Sequence, residues 1–126
     1  MTGIKQSTEE RVEGLQAEGI IDLHFDLPMD LYEKRGRRDV LKTEFLPELE
    51  PGNISVVGAA IYIEDRYLPE NGLRVALAQI ARLYAETAAS DRFAICKALT
   101  KLRRRANAAA SHCSSPWKAS SRSGPI

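Results

Sequence analysis

Ile20-Ile21-Asp22-Leu23-His24-Phe25-Asp26-Leu27-Pro28 is the stretch whose reading decides the fold. Apolar and polar residues alternate strictly from Ile21 to Leu27, a period of two that predicts a half-buried strand. Ile21, Leu23, Phe25 and Leu27 should point to one face, and Asp22, His24 and Asp26 to the other. Pro28 has no N–H to give a ladder, so the strand is expected to stop there. His24 and Asp26 then share a face at the strand's C-terminal end, which is where parallel α/β proteins place their chemistry. A neutral imidazole nitrogen and a hard carboxylate oxygen at this spacing suit one divalent ion such as zinc. Taken alone, a His-x-Asp pair is more often solvated, or the carboxylate merely orients the ring, because catalytic zinc needs about three protein ligands.

On the N-terminal side, Ser7-Thr8-Glu9-Glu10 has the spacing of a capping box, and Gly19 suits a helix stop, so a short helix over about 8–16 leads into the strand. On the C-terminal side, Met29–Lys34 suits a helical turn. Arg35-Gly36-Arg37-Arg38-Asp39 reads as a polar loop; its basic cluster could hold an anionic group, although short charge runs usually just face water. Lys42–Pro51, broken by Pro47 and Pro51, reads as a connector with one helical turn at most. Asn53–Ile63 is a nearly continuous apolar run, as expected of a strand buried on both faces of a parallel sheet. Glu64-Asp65-Arg66 should follow it on the same rim as His24 and Asp26, as site helpers or, more commonly, as a polar loop. Leu73, Ala76, Leu77, Ile80, Leu83 and Tyr84 carry the i, i+3, i+4, i+7 pattern of an amphipathic helix over Leu73–Glu86, with Asn71 as N-cap. Strand, connector, strand, helix is the order that opens an α/β barrel or an open parallel sheet.

Composition bounds the class. The 126 residues suffice for one domain with a core, and 44% apolar and 28% charged residues are ordinary for a globular chain. No apolar run reaches the length of a membrane span, and Met1–Arg11 shows no secretory h-region. Cys96 and Cys113 have no C-x-x-C spacing, so neither a disulfide framework nor a structural zinc knot is expected, and a cytoplasmic setting is the default. The net charge of +1 conceals a break: residues 1–96 hold all 17 acidic residues against 11 basic ones, a net of −6, whereas residues 97–126 hold no acid and seven bases. The two parts do not read as one folding unit.

The first part carries a resemblance. Asp22-Leu23-His24-Phe25-Asp26-Leu27-Pro28 is similar to the Asp-x-His-x-Asp-x-Pro signature on the opening strand of the membrane dipeptidase (renal dipeptidase-like) metallopeptidases. The connector Glu44-Phe45-Leu46-Pro47-Glu48-Leu49 and the Gly/Asn turn into a second apolar strand also resemble that family, so the likeness covers roughly residues 18–96. It implies the N-terminal portion of a TIM-type (β/α)8 barrel and hydrolysis of dipeptides by a metal-activated water. His24 and Asp26 would ligate the first of two zinc ions, and the family adds a bridging glutamate from its third strand and later histidines. Here no Asp or Glu follows Asp91, His112 is the only later histidine, and a closed barrel takes about 250 residues. The chain is therefore expected to be an incomplete and inactive fragment, with two of the four or five ligands.

Residues 97–126 fit a specific explanation. Ala106–Ile126 shows neither a helical nor a strand period. In the reading frame that begins at each codon's third base, His112-Cys113 must give Leu and Trp117-Lys118 must give Glu. Codon choice permits His112 to Pro125 to read Leu-Leu-Leu-Thr-Met-Glu-Gly-Val-Glu-Pro-Leu-Gly-Pro-Asp, an apolar strand ending in Met-Glu-Gly, as the family's third strand and its glutamate should look. Lys97–Arg105 can likewise read as an acidic helix. A frame slip near Cys96–Lys97 is the expectation. Two rivals stand beside it. One is a small binding protein whose basic tail, with Arg103-Arg104-Arg105 at its centre, grips nucleic acid or an acidic partner. The other is a different amidohydrolase-like barrel fragment, although such enzymes usually carry His-x-His where this chain has His24 and Asp26.

Overall fold

The computed structural model of the protein describes residues 6–112. It divides into two compact units, Met1–Ala94 and Ile95–Ile126. In the first, helix α1 (Thr8–Ala17) leads to strand β1 (Ile20–Phe25) and helix α2 (Leu27–Glu33). A π-helical segment (Leu41–Phe45) and helix α3 (Leu46–Leu49) follow, then strand β2 (Ile54–Ala59), a 3-10 turn (Asp65–Tyr67) and helix α4 (Gly72–Ala88). The two strands pair in parallel, so the described residues mix helices with a two-stranded parallel sheet. In the second unit, helix α5 spans Leu99–His112.

The capping box forms at α1: Ser7 Oγ accepts from Glu10 N–H at 3.1 Å, and Glu10 Oε2 accepts from Ser7 N–H at 3.0 Å. Gly19, at φ +86°, takes the left-handed stop, where a Cβ would stand 3.1 Å from Ser55 Oγ. Asn53 locks this corner, its carbonyl accepting from Ile20 N–H at 2.9 Å and its amide donating to the Gln16 carbonyl.

Strand β1 departs from simple alternation. Ile20 pairs with Ile54, Ile21 with Val56, Asp22 with Val57 and Phe25 with Ala59, so the register shifts twice. Leu23 and His24 together oppose the single residue Gly58, which is a bulge in β1. The backbones come close there: a Cβ on Gly58 would lie 2.5 Å from the Leu23 carbonyl oxygen. The expected inward row is correspondingly broken, with Phe25 half-buried, Ile21 56% exposed and Leu23 84% exposed. Leu27 is buried but belongs to α2, since Leu27 and Pro28 open that helix, where a missing N–H costs nothing. Strand β2 is shorter than the apolar run predicts and only partly covered. Its ladder can extend only as far as β1 does, and Ala60 N–H to the Phe25 carbonyl, at 3.0 Å, is its last bond.

The proline-rich connector is more helical than expected. Pro47 lacks the N–H that would meet the Thr43 carbonyl, and the turn ahead of it widens so that Leu46 N–H reaches the Leu41 carbonyl. Leu41, Phe45 and Leu49 thereby stay on one side, with Leu41 and Leu49 buried. The core gathers Leu27, Leu31, Val40 and Leu41, with Phe25, Phe45, Leu83 and Phe93 packed against it. Phe25 and Phe45 meet edge to face at 5.9 Å.

Helix α4 keeps Ala76 and Leu83 of its expected apolar stripe half-buried and turns the rest of it outward. Val75, Gln79 and Glu86 are buried, whereas Leu73, Leu77, Ile80 and Tyr84 are exposed. The polar members are held by directed bonds. Gln79 Nε2 donates to the Tyr62 carbonyl at 2.6 Å and contacts Met29 Sδ at 3.2 Å. Glu86 Oε2 accepts from Leu41 N–H at 3.0 Å, and its Oε1 pairs with Arg82 at 2.7 Å. The Ala106–Ile126 stretch, expected to lack helix, is helical as far as His112; residues 113–126 lie outside the described part.

Removing the Glu86 carboxylate leaves the buried Leu41 N–H and Arg82 without their partner. Glu86→Ala is expected to lose roughly 3 kcal/mol in urea unfolding, and Glu86→Gln roughly 1–2 kcal/mol because one acceptor survives. Gly58→Ala should cost more than about 1 kcal/mol, since backbone rather than a flexible side chain blocks the methyl group. Equal urea midpoints for the variants and the parent chain would contradict both expectations.

Candidate metal centre

His24 and Asp26 come together at the C-terminal end of β1. His24 Nε2 stands 3.3 Å from Asp26 Oδ1, on side chains that are 78% and 54% exposed. Local structure explains the convergence. The bulge opposite Gly58 sets the course of the chain at Leu23 and His24, and Asp26 is the residue from which α2 starts. The main-chain carbonyl of Asp26 accepts from Met29 N–H at 3.2 Å, while its carboxylate makes no cap bond and is left to face the imidazole. Asp22, expected on the same face, places Oδ1 3.0 Å from the His24 backbone N–H. It braces the bulge and is not part of the converging pair.

The donor set can be tested against a zinc ion. Zn–N and Zn–O bonds of about 2.05 Å give a tetrahedral edge of about 3.3 Å. The separation of His24 Nε2 and Asp26 Oδ1 is 3.3 Å, so the pair fits one edge of such a tetrahedron. Among the described residues no group of three or more His, Cys, Asp or Glu side chains converges. The pair therefore fits a metal as half of a ligand set.

The other sequence candidates are occupied elsewhere. Glu64 Oε2 lies 2.7 Å from Arg66 Nε, and Arg66 also pairs with Glu33 and covers the Tyr67 ring at 4.9 Å. That loop is thus a braced corner; it adds no ligand to His24 and Asp26. In the basic loop, Arg35 donates to the Tyr32 carbonyl at 3.0 Å and stacks on its ring, while Arg37 pairs with Glu44. Lys34 joins Asp30 at 2.8 Å and Glu44 at 2.6 Å. Its bonds to Asp30 and Glu44 raise the Lys34 ammonium above the ordinary lysine value. The Lys34 hydrogen bond, aided by the nearby Arg37 charge, holds Glu44 below the usual carboxylate range. No helix among the described residues is long and apolar enough to cross a membrane. Searches against family models, curated proteins and solved structures found no match to this chain.

Two expectations follow. His24→Ala and Asp26→Asn should leave the free energy of urea unfolding within about 0.5 kcal/mol of the parent, because both side chains are exposed and outside the core. A larger loss would assign the pair a structural role. Glu44 is more acidic folded than unfolded, so its stabilisation is complete above the ordinary glutamate value and fades as pH falls through the depressed one. Lys34 works in reverse, its contribution being lost only as pH rises through its raised value. A Glu44→Gln variant should therefore show a flatter acid limb in a plot of Tm against pH; an unchanged limb would refute the linkage.

Proposed function

We propose that residues 1–96 are the opening part of a metal-dependent dipeptidase barrel of the membrane dipeptidase type, and that residues 97–126 are a frame-shifted reading of its continuation. The observation that carries this reading is the His24–Asp26 pair: two donors 3.3 Å apart at the C-terminal end of the first of two parallel strands. Signature, connector and second strand follow in the order of the family, and codon choice permits the shifted frame to read as a Met-Glu-Gly strand, with its Glu forced, where a bridging glutamate is needed. In this role His24 Nε2 and Asp26 Oδ1 hold the first ion, Asp22 steadies the His24 backbone, and α2 fixes Asp26 from behind. Bound zinc supplies Lewis acidity and an acidified water at neutral pH. The substrates are dipeptides, and the chain as it stands is not expected to turn them over, because half of a ligand set leaves the ion too weakly held.

A second reading draws on α5. Lys101, Arg103, Arg104 and Arg105 are exposed on this helix, as a nucleic-acid or acidic-partner contact would require. On that reading the full chain binds nucleic acid with a steep salt dependence that deletion of residues 97–126 removes.

The nucleotide sequence decides between them. Under the dipeptidase reading, the third-base frame past codon 96 stays open for on the order of 200 further codons and encodes Met-Glu-Gly and later histidines. A frame that closes within a few codons overturns it. In the frame-restored protein, His24→Ala should lose metal and dipeptidase activity together; full activity with full metal content would remove His24 from the site.

A further inference from the structure

We propose that the His24–Asp26 pair of this chain forms a zinc centre shared between two copies, each supplying one edge of the ligand tetrahedron. The inference rests on the metal-ligand role given to the pair above and adds the partner that completes it. One copy provides one nitrogen and one oxygen, and the described residues bring no third donor to them. Zinc takes four ligands in a closed site. Opposite edges of a tetrahedron are related by a two-fold axis through its centre, which is the symmetry of an isologous dimer. Two copies placed on that axis give two imidazoles and two carboxylates, a set suited to zinc and poorly suited to magnesium.

The surroundings allow this approach. Both side chains are more than half exposed, and neighbouring Leu23 is 84% exposed, so the edge projects from the surface. Each copy brings the Asp26 carboxylate to the junction, and two such carboxylates repel until a cation lies between them. Association is therefore linked to zinc by mass action.

The test adds zinc alone to the full 126-residue chain and reads mass by sedimentation velocity and metal content by elemental analysis. The expected result is a doubling of mass at one zinc per two chains, reversed by a chelator and not produced by magnesium. His24→Ala and Asp26→Asn, each checked for an unchanged circular dichroism spectrum, should weaken zinc-linked dimerisation roughly tenfold or more. A His112→Ala/Cys113→Ser variant, which removes the donors of the basic tail, should dimerise as the parent does. One zinc per chain on a monomer, lost in His24→Ala, would overturn the shared centre and leave the pair as a metal site. A zinc-linked dimer that survives His24→Ala and fails in the tail variant would place the ion on the tail and overturn the proposal. No zinc uptake at all would overturn both the shared centre and the metal-ligand role of the pair, while the reading frame of the gene tests the family assignment separately.

Discussion

The Glu86 carboxylate is the interaction on which the first unit depends. It lies 4% exposed on α4 and receives the Leu41 N–H at the start of the helical connector. A carboxylate there satisfies a buried donor and sits at the favourable end of the helix dipole. Arg82 pairs with the same carboxylate and also donates to the Arg37 carbonyl, which ties the loop after α2 to α4. Gln79, two turns before Glu86 on this stripe, holds the Tyr62 carbonyl and so fixes the unpaired chain between β2 and α4. A directed polar seam thus joins α2, the connector and α4, and the small cluster around Leu31 and Leu41 closes over it.

This seam explains the exposed apolar surface. Helix α4 can turn only one side inward, and the side bearing Val75, Gln79 and Glu86 is the one that meets partners. Leu73, Leu77 and Ile80 consequently face outward, as do Ile21 and Leu23 on β1. Apolar groups on both the sheet and the helix are what a longer α/β protein would cover with its next strand and helix.

The approach of His24 to Asp26 depends on the same local constraint as the sheet. Gly58 lets the Leu23 carbonyl approach within a distance that no side chain tolerates, and the bulge so formed gives β1 one residue more than its partner at Leu23 and His24. Pro28 and Leu27 then start a helix immediately, which leaves Asp26 at the junction with its carboxylate uncommitted. His-x-Asp spacing on a straight strand would put both side chains on one face; bulge and helix start together set the 3.3 Å edge.

Local sequence rules alone determined the capping box at Ser7, the left-handed stop at Gly19, the existence of β1 and α4, and the nearness of His24 to Asp26. Each rests on neighbours a few positions apart, where spacing and backbone preference suffice. Only the tertiary structure decided the rest. Alternation could not reveal the bulge, because that is set by Gly58 on the other strand. The length of β2 followed its partner's, not its own apolar run. The face that α4 buries was chosen by bonds from Gln79 and Glu86 to groups 17 and 45 residues away, which hydrophobic periodicity does not register. The basic loop and Glu64-Asp65-Arg66 read as polar loops in sequence; folding pairs Arg37 with Glu44 and Arg66 with the distant Glu33.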